Sequence, residues 1–193
     1  GIKSIGVYRP KDKINNLDYM EKLNTSEDFI KNKIGNINLA KKSFKDETTD
    51  IAKYAVDDLF YKYKSLKDKI ECLVLVTQNP DFNIPHTSAI LHGKLDFPKT
   101  CACFDISLGC SGYVYGLSNI ISFMKNNDLK NGLLFTADPY SNIVDKEDKN
   151  TALLFGDAST VTYISEDCLF TPVEFSFGTN GKHYKELLCK DKL

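Results

Sequence analysis

Arginine is almost missing from this chain. Of its 25 basic residues only Arg9 is not a lysine, and 26 acids bring the formal net charge to −1. That balance lacks the basic excess that draws proteins onto nucleic acid or anionic membranes, so neither partner is expected. No apolar run approaches the ~20 residues of a membrane span, and the N-terminus lacks the charged-then-apolar layout of a secretory signal. The six cysteines (Cys72, Cys101, Cys103, Cys110, Cys168 and Cys189) form no C-x-x-C pair and no regular framework. A reduced, cytoplasmic chain is the expectation. Cys101 and Cys103 would share one face of a strand, without a C-x-x-C or His-x3-5-His companion, so no metal site is expected there. Internal repeats, low-complexity tracts and linkers are also absent. The 193 residues suffice for one good core.

What is present alternates between strand and helix patterns. Ile2 to Tyr8 reads as an opening strand, stopped at Arg9-Pro10. Asn15 or Asn16 could cap a helix carrying Leu17, Tyr19, Met20 and Leu23. Thr25 or Ser26 could cap the next, whose first turn holds Glu27 and Asp28 where the helix dipole favours acids. Thr48 to Tyr63 is the clearest amphipathic helix. Its Ile51, Ala52, Ala55, Val56, Leu59, Phe60 and Tyr63 lie on one side. The run Leu73-Val74-Leu75-Val76 is too short for a helix and predicts a strand covered on both faces. After the Pro80–Pro85 loop come a short helix over 87–95, a strand over 101–106, a helix to about Asn127 and a strand over 132–137. Two more strands are expected over 157–164 and 169–177, the second interrupted by Pro172. This order argues for an α/β fold with a mostly parallel sheet and helices on both faces.

The stretch that organises the chain is Phe104-Asp105-Ile106-Ser107-Leu108-Gly109-Cys110-Ser111-Gly112-Tyr113. A strand runs into a small-residue turn, and a cysteine stands where a helix begins. Beyond it, Tyr113, Val114, Leu117, Ile120, Ile121 and Met124 recur at spacings of three and four. Backbone N–H groups of a first helical turn point at such a side chain, and a helix N-terminus favours the thiolate, the reactive form of a thiol. By local pattern alone the blander reading stands ahead, a small buried cysteine packing a strand–helix corner. Asp105 reads as structural rather than as a base. His86, His92 and His183 read as surface or packing residues.

The same stretch resembles the nucleophile segment of the β-ketoacyl-acyl-carrier-protein synthase III family. Three further stretches match that family in order. Thr25-Ser26-Glu27-Asp28-Phe29-Ile30 with Ile34-Gly35 resembles its substrate-entrance segment, and Leu154-Phe155-Gly156-Asp157-Ala158 its Phe-Gly-Asp-Gly strand entry. Gly178-Thr179-Asn180-Gly181, with Tyr184 and Glu186-Leu187-Leu188, resembles the segment closing its first half. Four matches in one order reverse the reading of Cys110, making it the candidate acyl-accepting nucleophile.

The resemblance implies a thiolase-like half-fold, βαβαβαββ, over residues 1–193, with the C-terminal catalytic half absent from this chain. It implies that an acyl group from a thioester passes onto Cys110, whose own N–H helps form an oxyanion hole. Decarboxylative condensation with malonyl-acyl carrier protein then follows, in a pathway of fatty acid biosynthesis. The histidine and asparagine that stabilise the enolate belong to the missing half, so the 193 residues alone are expected to be inactive. Acyl-coenzyme A and malonyl-acyl carrier protein are implied as substrates, with no bound cofactor. Phe29 stands where the family usually has tryptophan, and Lys33 where it has arginine. Both are expected to bind substrate at the entrance, with coenzyme A as donor less firmly implied. Ile84, in the Pro80–Pro85 loop, is implied to line a partner's acyl pocket in a homodimer. Two alternatives remain open at this level. One is an acyltransferase on the same scaffold delivering to a hydroxyl or amine; the other is a non-catalytic half serving as a dimerisation partner.

Overall fold

The computed structural model describes residues 1–186; Leu187, Leu188 and Cys189 of the closing segment lie outside the described residues. Strand β1 (Ile2–Tyr8) opens the chain, followed by two three-residue strands that pair antiparallel, β2 (Lys13–Asn15) and β3 (Asn38–Ala40). Then come α1 (Thr48–Lys62), β4 (Cys72–Val76), α2 (Thr87–Leu95), β5 (Ala102–Ile106), α3 (Gly112–Asn126) and β6 (Asn131–Ala137). The four-residue α4 (Lys149–Ala152) precedes the last strand, β7 (Ser159–Ser165). Setting aside the β2–β3 pair and α4, the order is the expected βαβαβαββ. Among the described residues no helix is long and apolar enough to cross a membrane.

The main sheet has the order β1-β7-β6-β4-β5. β6, β4 and β5 pair in parallel, whereas β7 runs antiparallel to both its neighbours, β6 and β1. Four strands therefore share one direction, and the sheet is mixed by virtue of β7. β4 lies between β6 and β5 with all five residues buried, as its uninterrupted apolar run requires. Leu73 and Leu75 face a core shared with α1 and α2, while Cys72, Val74 and Val76 face the core beneath α3. The period-two alternation of a strand divides its side chains between the two layers.

Each helix has a physical start. α1 begins with a reciprocal capping box between Glu47 and Asp50, and Asp81 also accepts the Thr49 N–H. At α2 the caps come from the sheet: the Asp105 carboxylate on β5 accepts the N–H groups of Thr87 (2.6 Å) and Ser88 (2.8 Å). Asp105 is therefore a cap, satisfying two N–H groups that have no partner within their own helix.

α3 is seated by two glycines one turn apart. A Cβ on Gly112 would lie 2.5 Å from Val76 Cγ1, and one on Gly116 would lie 2.8 Å from both Val76 Cγ2 and Leu134 Cδ1. Only hydrogen fits at either place, so the helix axis lies close against β4 and β6. Leu117, Ile120 and Met124 are buried in the same contact. These three side chains are thus covered by the chain's own sheet. Uncovered apolar groups lie elsewhere, at Ile5 and Val7 on β1, Val114 on α3, and Val173.

The strand expected over 169–177 does not form. Phe170 makes one antiparallel bridge with Ile2, and the chain then leaves the sheet. Phe175 joins the core under α3, and the Phe177 ring packs on Tyr115 with centroids 4.8 Å apart. Pro172 has no N–H to donate to a ladder, and Phe175 and Phe177 pack toward α3 instead, Phe175 partly buried.

Candidate active site

β4, β5 and β6 are parallel neighbours, so the loops leaving their C-terminal ends converge at one edge of the sheet. Those loops are 77–79, 107–111 and 138–141, and Cys110 sits in the middle one. It lies in a turn closed by the Gly112 N–H donating to the Gly109 carbonyl (2.8 Å), two residues before α3 begins. The thiol is exposed. That position does not fit a cysteine buried to fill a corner.

The flanking loops wall this turn. A Cβ on Gly109 would stand 2.6 Å from Gln78 Oε1 and 3.5 Å from the Tyr140 hydroxyl, so the backbone beside Cys110 lies directly against both. The Tyr140 hydroxyl donates to Gln78 Oε1 at 2.8 Å. Partial burial pushes the Tyr140 phenol above its ordinary pKa, and negative charge at Asp138 and at Cys110 adds to the shift. Tyr140 is therefore a neutral hydrogen-bond donor at neutral pH.

Two carboxylates hold these walls. Asp138 accepts at one oxygen, Oδ1, from the Gln78 N–H (2.7 Å), the Thr77 hydroxyl (3.0 Å) and the Asn79 side-chain amide (3.0 Å). Burial nonetheless raises its carboxyl above the usual range, against the lowering effect of those bonds. Asp157, only 1% exposed, accepts the N–H groups of Lys42 (2.9 Å) and Ser141 (3.0 Å). Phe155, two residues earlier, stacks on Tyr140 with centroids 4.9 Å apart and planes 22° from parallel. The Phe155-Gly156-Asp157 segment thus fixes the 140 loop from behind, through a ring and a buried carboxylate.

Phe29 and Lys33 are brought together on a single π-helical stretch, Phe29–Ile34. Ser26 caps its start by accepting the Phe29 N–H, and Gly35 ends it in the left-handed conformation at φ 83°. The Lys33 ammonium lies 5.5 Å from the Phe29 ring centroid. Lys149, from α4, lies 5.3 Å from the same centroid. Ile30, Leu23 and Leu153 form a small buried cluster that holds this stretch against the end of α4. Ile84 stands apart on the loop between β4 and α2, 87% exposed, with a cis peptide to Pro85.

Sequence reasoning missed Gln78, Tyr140 and Lys149. Gln78 and Tyr140 had a usable signal, because each follows the C-terminal end of a strand expected in the same mostly parallel sheet as the Cys110 strand. Ligand sites of parallel α/β sheets form at those ends. Lys149 had none, since a lysine in a polar loop reads as solvated surface.

The geometry has close relatives. Residues 104–181, from the nucleophile segment onward, match the family model described as 3-oxoacyl-[acyl-carrier-protein (ACP)] synthase III. Over 183 residues the chain is 31% identical to β-ketoacyl-[acyl-carrier-protein] synthase III of Fusobacterium nucleatum, an overlap of 94% of this chain and 56% of that protein. It is 32% identical to the Deinococcus radiodurans synthase III 2, over 86% of this chain and 49% of that one. A crystal structure of a 3-oxoacyl-(acyl-carrier-protein) synthase III superimposes with a TM-score of 0.89 at 28% identity, covering 97% of this chain and 57% of the other. The Thermus thermophilus β-ketoacyl-[acyl carrier protein] synthase III gives 0.81 at 26% identity, covering 86% and 51%. The chain spans about half the length of the curated relatives it matches.

Proposed function

From a chain that belongs to the β-ketoacyl-[acyl-carrier-protein] synthase III family, we infer that Cys110 is the acyl-accepting nucleophile of a decarboxylating condensing enzyme. The observation that carries this reading is the exposed thiol, held at the β5–α3 corner by a turn lying flush against Gln78 and Tyr140.

In the proposed first half-reaction the Cys110 thiolate attacks the carbonyl carbon of an acyl thioester. The carbon–sulfur bond to the donor breaks, and the donor leaves as a thiolate. In the second, a malonyl thioester on acyl carrier protein loses carbon dioxide to give an enolate. The enolate carbon attacks the acyl-cysteine, returns the Cys110 thiolate and releases a 3-oxoacyl thioester. The developing oxyanion needs preorganised donors, and the backbone N–H of Cys110 is one candidate. Enolate stabilisation falls to the histidine and asparagine that the family resemblance places in the other half of the protein. The rigid walls serve position, because a nucleophile on a mobile loop would lose the orientation that makes attack effectively unimolecular.

At the entrance, Phe29 offers a π-face and the ammonium groups of Lys33 and Lys149 supply positive charge beside it. That pairing suits an aromatic base and the phosphates of a nucleotide-bearing thioester such as acyl-coenzyme A. Lys149 adds a second cation where lysine has replaced the planar fork of arginine. The exposed Ile84 loop supports a role at a homodimer contact. The protein works in the cytoplasm without a resident cofactor in this proposal.

Incubation of the full-length protein with an acyl thioester, followed by peptide mass mapping, tests the reading. The acyl mass should appear on the Cys110 peptide and vanish, together with condensation, in Cys110→Ala. Acylation on another residue, or condensation surviving in Cys110→Ala, would refute it.

A further inference from the structure

Away from the Cys110 corner, the opposite end of β5 gathers a second set of chemically active side chains. Cys101 and Cys103 alternate with Ala102, so both leave the strand on the face that α2 covers. α2 brings His92 to the same place. A ring nitrogen of His92 and the sulfurs of Cys101 and Cys103 all lie within 4.8 Å of one another. The sequence hid this third member, because its distance along the chain fits no spacing motif.

The ring is already oriented. His92 Nε2 lies 3.0 Å from the Pro98 carbonyl oxygen, which can only accept, so Nε2 carries the proton and Nδ1 keeps the lone pair. A backbone carbonyl held by one ring nitrogen is the kind of contact that fixes the tautomer of metal-bound histidines. Cys101 is buried while His92 and Cys103 are partly exposed. A cation can therefore enter, yet its sulfur ligands are shielded from bulk water. The two thiols interact with each other, and each also makes one long contact to a backbone carbonyl, at 3.7 Å for Cys101 and 3.6 Å for Cys103.

We propose that His92, Cys101 and Cys103 form a binding site for a thiophilic divalent d10 cation of the zinc class, with water as the fourth ligand. Metal–sulfur bonds of about 2.3 Å and a metal–nitrogen bond of about 2.0 Å place tetrahedral ligand atoms roughly 3.5–3.8 Å apart. Side-chain rotation by about an ångström closes the present spacing. Each thiol gives its proton to solvent as its metal–sulfur bond forms, two protons per ion. Nitrogen and two thiolates are a donor set that selects zinc over magnesium or calcium, which take oxygen. The ion would clamp α2 to the edge strand, at the far end of β5 from the nucleophile, so its role is structural. None of this depends on the condensing activity.

Cobalt(II) titration of the reduced, metal-stripped full-length protein is the test. One equivalent should produce intense thiolate-to-cobalt absorption in the near ultraviolet and the strong visible bands of a tetrahedral ion, both removed by zinc. Cys101→Ser, Cys103→Ser and His92→Gln should each weaken binding by more than about tenfold, with unchanged far-ultraviolet circular dichroism showing that they fold. Cys110→Ser and Cys168→Ser should keep the bands. Absence of the bands in the parent protein, or their persistence in the Cys101→Ser/Cys103→Ser double variant, would overturn the proposal.

Discussion

Adding one methyl group at Gly112 tests whether the seat of α3 on the sheet is what presents Cys110. The new Cβ of Gly112→Ala would stand 2.5 Å from Val76 Cγ1 and 3.3 Å from Leu108 Cβ. Neither neighbour can yield easily, because Val76 is buried on β4 with a stiff β-branched side chain and Leu108 Cβ is fixed to the backbone. The first turn of α3 must move away from β4. Overpacking of this kind costs about 1–3 kcal/mol, against a helix-propensity gain of at most about 1 kcal/mol. Destabilisation wins. Gly93, on the exposed side of α2, supplies the control: nothing lies within 4 Å of its added Cβ, so Gly93→Ala should stabilise by roughly 0.5–1 kcal/mol. Thermal unfolding followed by circular dichroism should therefore move in opposite directions for the two variants, by about 2–4 °C per kcal/mol. Iodoacetamide modification of Cys110, read by peptide mapping, should change rate in Gly112→Ala and not in Gly93→Ala. A Gly112→Ala protein with parental stability and labelling would refute the close-seat argument, as would greater harm from Gly93→Ala.

Three further outcomes follow from contacts already described. Asp105→Ala strips both caps from α2 and should cost about 1–3 kcal/mol, with Asp105→Asn recovering part of it; equal melting of the Ala variant and the parent would remove the cap. Asp138 carries a carboxyl raised by burial, so its charged form is disfavoured in the folded state. That penalty is absent below the unfolded value of 3.8, grows as pH climbs through the window to the raised folded value, and is complete above it. Asp138→Asn keeps an Oδ1 acceptor for all three donors, so it should be at least as stable as the parent at pH 7, with the gain fading as pH approaches 3.8; a clear loss at pH 7 in urea titration would contradict this. Phe29→Ala and Lys149→Glu should each raise the KM for an acyl-coenzyme A donor about 3–10-fold with kcat little changed, and steady-state kinetics showing no KM effect would remove them from the entrance.

The long elements were legible because their patterns are long. Helix α1 needed only its repeated apolar face, and β4 was readable from four consecutive apolar residues that no half-exposed strand would carry. α2 was found at its observed limits, although the residue that caps it, Asp105, lies on a strand later in the chain. Short elements were not legible. β2 and β3 are three residues each, and a period cannot be seen in three residues. The helix that follows Cys110 starts two residues after it rather than at it, because the Gly109–Gly112 turn intervenes. The stretch 169–177 alternated like a strand, but Pro172 interrupts the ladder, and Phe175 and Phe177 pack toward α3. Cys110, Phe29 and Lys33 were singled out by resemblance to a family. The wall of the site, Gln78 and Tyr140, is made by loops far apart in sequence and becomes visible only when β4, β5 and β6 are laid side by side.

β7 lies between β6 and β1, and this placement sets an order on assembly. Among the described residues β1 pairs with one strand, β7, apart from the single bridge of Ile2 to Phe170: Ile2 pairs with Ile164 and Tyr8 with Ser159. β1 is thus late to dock, since its template, β7, lies more than 150 residues further along the chain. Closing a loop of that length carries an entropic cost of about 4–5 kcal/mol beyond the constant term, which the pairing and the contact of Gly6 with α1 must offset together. Until they do, β7 presents a bare edge and α1 an uncovered apolar side, both open to another chain. A nascent or partly unfolded molecule would therefore be most adhesive at its beginning, where a second copy's β1 could occupy the vacant place and exchange strands between neighbours.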